Sequence, residues 1–237
     1  MEIIPAIDLR GGRCVRLMQG RYDRETVFSD SPVEMARYWE ELGAPRLHVV
    51  DLDGARAGKP KNLPVVAEIC AAVGIPVELG GGIRDELTAR RALDVGVQRV
   101  IIGTAALDHK KAEKLASELG ESVVAGIDAR GGMVAVRGWL DKTDIKAVDL
   151  AREMVALGIR WIVYTDIASD GMLRGADVPA MRKLIAAVPK AKIIASGGVT
   201  TVKDVRNLRK AGAAGAIIGM ALYSGALTLK DALEAAC

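Results

Sequence analysis

The sequence predicts an α/β fold, a single (β/α)8 TIM barrel over residues 1–237 built from two repeated (β/α)4 half-barrels of about 1–120 and 121–237. Three observations point there. Short β-rich runs alternate with segments of helical periodicity eight times in 237 residues, the unit count and length of such a barrel. Half of the residues are hydrophobic and only 3% are aromatic, an aliphatic composition suited to a parallel sheet buried on both faces. The chain also repeats itself: AIDLRGG at 6–12 returns as GIDARGG at 126–132, with five of seven residues identical.

The expected strands, in order, are EIIPAID (2–8), RLHVVD (46–51), PVEL (76–79), RVII (99–102), VVAGID (123–128), WIVYTD (161–166), KIIAS (192–196) and AIIG (216–219). Each is a short aliphatic, β-branched run bounded by turn residues. Between them, apolar residues recur at helical spacing in 32–42, 63–73, 88–96, 148–157, 178–188 and 202–212. Ser31-Pro32 has the chemistry of a helix start, and Thr200 or Thr201 can cap the helix that follows strand 7.

The repeat extends beyond the first phrase. LGAPRLHVVDLDG (42–54) aligns with LGIRWIVYTDIASDG (157–171), so Asp51 answers to Asp166 at an offset of 115. GGIRD (81–85) aligns with GGVTT (197–201), and IIG (101–103) with IIG (217–219), both at 116. Asp8 and Asp128 stand at an offset of 120, which places about five extra residues in the loop after strand 1. Strand 5 therefore repeats strand 1, and the two lie opposite each other in an eight-strand barrel.

Composition excludes several function classes. The 33 basic and 30 acidic side chains leave a net charge of only +3, against general nucleic-acid binding but compatible with a local anion site. Cys14, Cys70 and Cys237 are scattered and odd in number, as expected of reduced thiols in a cytoplasmic protein. MEIIPAID has no basic leader, so no signal peptide is expected. Residues 211–229 carry no charge, but four glycines interrupt them; a buried strand and a short helix are expected rather than a membrane span.

The chemistry should lie at the C-terminal ends of the strands, the catalytic face of this architecture. Asp8 and Asp128 are expected as the last residues of strands 1 and 5, facing each other across the mouth. Opposed carboxyls serve general acid–base work when their surroundings separate their pKa values. GGGIRD (80–85) with IIGTAAL (101–107), and SGGVTT (196–201) with IIGMALY (217–223), form two symmetric glycine-rich turns. Glycine lets backbone N–H groups approach an anion, and a following helix N-terminus adds a favourable dipole. The expected ligand is a long small molecule with a phosphate at each end. Thr165 and Asp170 lie at the same mouth. Arg16 is a candidate contact to phosphate or substrate, Arg137 to an anionic or carbonyl group, and Trp139 to a flat ring, although 137–139 reads equally as a hydrophobic plug. His48 is as readily a core histidine as a ligand contact. With only two histidines no His-based metal cluster is expected, and without a Walker or G-x-G-x-x-G motif no nucleotide cofactor is implied.

Together, PAIDLRGGRCVRLMQG, VVDLDGA, ELGGGIRD, VIIGTAAL, GIDARGG, RGW, TDIASDGML and ASGGV resemble the phosphoribosylformimino (ProFAR) isomerase family of histidine biosynthesis, in order and over essentially the whole chain. The resemblance implies a cofactor-free Amadori rearrangement of an N-linked aminoaldose, bearing two phosphates, to an aminoketose. By motif match it implies Asp8 as the base at C2 and Asp128 as the acid that opens the ring, with Thr165 in support and Asp170 sharing the acid role. Gly81, Gly82, Gly103 and Thr104 match one phosphate site, and Gly197, Gly198 and Gly219 the other, with Gly171 among the substrate contacts. The family usually has a basic residue where this chain has Met220, so phosphate binding there would rest on backbone N–H groups and helix dipole. A monomer without nucleic-acid or membrane partners is expected. Three alternatives are a bifunctional isomerase that also takes phosphoribosylanthranilate, the related cyclase (which would carry a lysine in the strand-1 loop), and a non-catalytic phosphosugar-binding barrel.

Overall fold

The computed structural model describes residues 1–18, 21–136, 139 and 141–237. Eight parallel strands close on themselves: β1 (Glu2–Arg10), β2 (Leu47–Asp51), β3 (Val77–Gly80), β4 (Arg99–Ile102), β5 (Val123–Arg130), β6 (Trp161–Asp166), β7 (Lys192–Ser196) and β8 (Gly215–Ile218). Each pairs with the next in sequence, and β8 returns to β1 with Ile217 opposite Ile4. Around them run α1 (Pro32–Glu41), α2 (Leu63–Ala72), α3 (Glu86–Asp94), α4 (His109–Leu119), α5 (Ala147–Ala156), α6 (Val178–Ala187), α7 (Val202–Ala211) and α8 (Leu229–Ala236).

Side chains alternate along each strand, and the alternation divides the core in two. Ile3, Ile7 and Leu9 of β1, Ala125 and Ile127 of β5 and Ile162 and Tyr164 of β6 face the helices. Ile4 and Ala6, Ile101, Val124, Trp161 and Val163, Ile194 and Ile217 fill the barrel interior. The floor is polar. Arg46 bonds Glu2 and Gln98 at 3.3 and 2.7 Å, and the Arg99 guanidinium lies 3.7 Å above the Trp161 ring.

The expected strands all form, those at 99–102, 161–166 and 192–196 with the expected bounds. β1 and β5 run two residues beyond Asp8 and Asp128, correcting their placement as last strand residues. The cause is antiparallel pairing to two hairpins: Leu9 and Arg10 pair with Cys14 and Arg13, and Ala129 and Arg130 with Val134 and Met133. The hairpins are Arg13–Met18 with Arg21–Ser29, and Met133–Val136 with Asp141–Lys146. All five extra residues fall before α1, because α1 and α5 open at Pro32 and Ala147, already at an offset of 115. α3 begins two residues earlier than its periodicity suggested, because Asp85 caps it in a reciprocal capping box with Thr88. Ser31 caps α1, and Thr201 rather than Thr200 caps α7. The uncharged stretch at 211–229 contains β8 and a single helical turn, Met220–Tyr223. No helix among the described residues is long and apolar enough to cross a membrane.

One network sets the loop after β2. The buried Asp51 carboxylate accepts from the N–H groups of Gly54, Lys61 and Asn62 and from the Asn62 side-chain amide, at 2.5–2.8 Å. Removing the acceptor strands several donors, each at a cost of about 1–3 kcal/mol. Asp51→Ala is therefore expected to lower stability by about 3 kcal/mol or more, seen as a fall of roughly 6–12 °C in Tm. A change below about 1 kcal/mol would show that the network is dispensable.

Candidate active site

The alternation that fills the barrel also builds its mouth. The inward series Ile4, Ala6 on β1 continues to Asp8; Val124, Gly126 on β5 to Asp128; Trp161, Val163 on β6 to Thr165; and Ile194 on β7 to Ser196. All four line one cavity with His48, Gly81, Gly82, Arg84, Gly103, Thr104, Trp139 and Asp170. Gly171, Gly197, Gly198, Gly219 and Met220 line an adjoining pocket that also touches Arg16 and Asp170. The predicted residues converge on one mouth, except Arg137, which lies outside the described residues.

The two carboxylates have different partners. Arg16, from the first hairpin, is buried and ion-paired with Asp8, Nη1 to Oδ2 at 2.9 Å. Asp128 accepts instead from the Trp139 indole N–H and the Thr165 hydroxyl. The Trp139 backbone sits in the left-handed region at φ 70°, an expensive conformation for a bulky residue and one that recurs at functional sites. Its indole N–H reaches Asp128.

Burial pushes all three carboxyls up. For Asp8 it prevails over the pull of Arg16 and His48, and for Asp128 over the hydrogen bonds from Trp139 and Thr165. Asp170 is raised to about 6 by burial, reinforced by Asp8, Asp128 and Asp166, with Arg16 opposing.

The glycine turns show why no other residue fits. Gly81 has φ 103°, and a Cβ there would lie 2.1 Å from the Asp51 carbonyl oxygen; Gly197 has φ 87°, and its Cβ would lie 2.5 Å from the Asp166 carbonyl oxygen. Asp51 and Asp166 are themselves repeat partners, so the same backbone crossing occurs in both halves. Gly103 is different: a Cβ there meets nothing within 4 Å, leaving open space in front of it. A Cβ on Gly219 would lie 2.1 Å from Arg16 Nη2, so that guanidinium already covers the turn after β8. The pocket there holds only about 30 Å³, room for about two waters.

The helix N-termini near the four glycine turns differ in how they are capped. The Thr88 N–H at the start of α3 bonds Asp85, and the N–H groups of Thr200 and Thr201 before α7 bond Asp204. These two ends are capped by carboxylates, whereas the single helical turns that follow Gly103 and Gly219 have no side-chain cap. Those uncapped turns, the glycine backbone and the two arginines, Arg16 and Arg84, are the groups at the mouth suited to an anion. Arg84 and Ser196 were not singled out in the sequence, although Arg84 directly follows the glycine turn and Ser196 occupies the inward position level with Thr165. Among the described residues no group of His, Cys, Asp and Glu is arranged to hold a metal ion.

A family model described as "Histidine biosynthesis protein" matches residues 2–228. The chain is 50% identical to a protein of Acetivibrio thermocellus and 50% identical to one of Thermoanaerobacter pseudethanolicus, over the full length of each. It is 52% identical to a protein of Syntrophus aciditrophicus across all of this chain and 99% of that one. All three are named 1-(5-phosphoribosyl)-5-((5-phosphoribosylamino)methylideneamino)imidazole-4-carboxamide isomerase.

The raised carboxyl makes a signed prediction about stability. A folded-state value of about 6 for Asp170, against an ordinary 3.8, means that folding favours its protonated form. Its contribution is fully present below about pH 4 and is lost as pH rises through about 6. Asp170→Asn, which removes the ionisation, is expected to raise Tm by a few degrees at pH 8 and by nothing at pH 4, in paired thermal melts. A pH-independent difference would contradict the buried-charge account.

Proposed function

The chain belongs to the histidine biosynthesis protein family, and on that footing we propose that it is the isomerase that converts the aminoaldose ProFAR to the aminoketose PRFAR, an Amadori rearrangement. The observation that carries the assignment to this mouth is the pair of inward carboxylates with unlike partners, flanked by matched glycine turns. The proposal takes the whole chain as one barrel domain duplicated from halves near 1–120 and 121–237. It also takes the enzyme as a cytoplasmic monomer, since one chain supplies every group named and Cys14, Cys70 and Cys237 are unpaired thiols.

The reaction needs an acid at the ring oxygen and a base at C2. Asp128, whose carboxyl is raised by burial and has no ion pair like that of Asp8, gives its proton to the ribose oxygen as the C1–O bond breaks. This leaves an open-chain iminium at the anomeric nitrogen. Asp8, paired with Arg16, removes the C2 proton as the base, and the electrons move into C1–C2 to give a neutral enolamine. C1 then takes the proton from Asp8 while the C2 hydroxyl gives its proton to the Asp128 carboxylate, which restores both groups and forms the ketone. Thr165 keeps Asp128 oriented. Asp170, raised to about 6, is placed to share the acid role. Gly81, Gly82, Gly103 and Thr104, with Arg84, hold one phosphate. Gly171, Gly197, Gly198 and Gly219 hold the other, beside Arg16.

Steady-state assay with ProFAR checks the assignment. The unmodified protein is expected to turn over ProFAR. Asp8→Asn and Asp128→Asn are each expected to lower kcat by about 10²–10⁴-fold with KM within a few-fold. An Asp170→Asn variant more damaged than Asp128→Asn would transfer the acid role to Asp170. Near-normal kcat in Asp8→Asn would remove Asp8 as the base.

A further inference from the structure

Glu78 is fully buried on the inward face of β3, between its register partners His48 on β2 and Arg99 on β4. Its Oε1 lies 2.8 Å from His48 Nδ1. Its Oε2 has no hydrogen-bond partner among the described residues, and neither has Nη1 of Arg99. A half-satisfied carboxylate inside an aliphatic barrel is a poor structural device, because an apolar side chain of equal volume there is often neutral or stabilising. The bond that Glu78 does make leads to the site. His48 lines the same cavity as Asp8 and Asp128.

A carboxylate only accepts, so its bond to Nδ1 assigns the hydrogen to Nδ1. In the neutral ring, Nε2 is then the acceptor available to the cavity. We propose that Glu78 is a positioning residue: it fixes His48 as the Nδ1–H tautomer, so that Nε2 accepts a hydroxyl of the sugar held between Asp8 and Asp128. The inference rests on the isomerase assignment above for its substrate, but not for the tautomer.

The test combines kinetics with the ring itself. The only other histidine, His109, is exposed at the start of α4, so a His109→Gln background leaves one imidazole for nitrogen NMR. In that background His48 is expected as the Nδ1–H tautomer with Glu78 present. In Glu78→Met it should revert to Nε2–H, kcat with ProFAR should fall at least tenfold, KM should stay within about threefold, and Tm should hold or rise. Glu78→Gln, which retains an acceptor, should restore the tautomer and at least a third of kcat. Unchanged kcat in Glu78→Met, an unchanged tautomer, or failure of that variant to fold would overturn the proposal, the last by making the carboxylate structural. If the unmodified protein has the Nδ1–H tautomer but does not turn over ProFAR, the isomerase assignment fails while the Glu78–His48 arrangement stands.

Discussion

Everything at the mouth depends on one constraint, the twofold alternation of side chains in a closed parallel barrel. Once Ile4, Trp161 and Ile194 are committed to the interior, Asp8, Thr165 and Ser196 are committed to the same ring one or two steps further on. A one-residue slip would turn each of them toward the helices and bring Ile7, Tyr164 and Ala195 inward. Aliphatic burial elsewhere thus holds the functional side chains in register.

Electrostatically the mouth is under tension. Asp8, Asp128 and Asp170 are all raised by burial, while Arg16 opposes the rise in the first and third. Hydrophobic burial across the barrel offsets the desolvation of these carboxyls, an arrangement in which stability gives way to reactivity at one place. The two halves then diverge within their shared frame. Arg16 crosses to Gly219 and narrows the pocket beside β8, whereas the space before Gly103 stays open. The repeat gives matched turns, and the longer first hairpin makes them unequal.

Much of this was legible in the residues. Strand runs such as RVII, WIVYTD and KIIAS are aliphatic, β-branched and bounded by glycine, aspartate or serine, which leaves little choice of period. Asp8, Asp128 and the glycine pairs stood out because they occur twice. The hairpins did not, because RYDRETVFS and DKTDIK are rich in charge and none of their described side chains is fully buried. The bounds of α4 were not legible for a related reason: HKKAEKLASEL shows mostly charge, and only Ala112 and Leu115 are buried. Arg16 was recognised as a candidate, but its ion pair with Asp8 arises because the hairpin folds back along β1 with Val15 opposite Asp8, a juxtaposition invisible to any helical or strand period. Glu78 looked like an ordinary strand polar residue, since nothing local marks which face of PVEL turns inward.

The central claim is that one ligand spans the mouth with a phosphate at each glycine turn. Phosphorus NMR of bound PRFAR tests it most directly. Both phosphorus signals should shift on binding to the unmodified protein. With Gly103→Val, which fills the open space after β4, one signal should return to its free position while the other stays bound. With Gly219→Val the pattern should invert. If either substitution released both phosphates together, or if only one signal ever shifted, the two-site account would be contradicted.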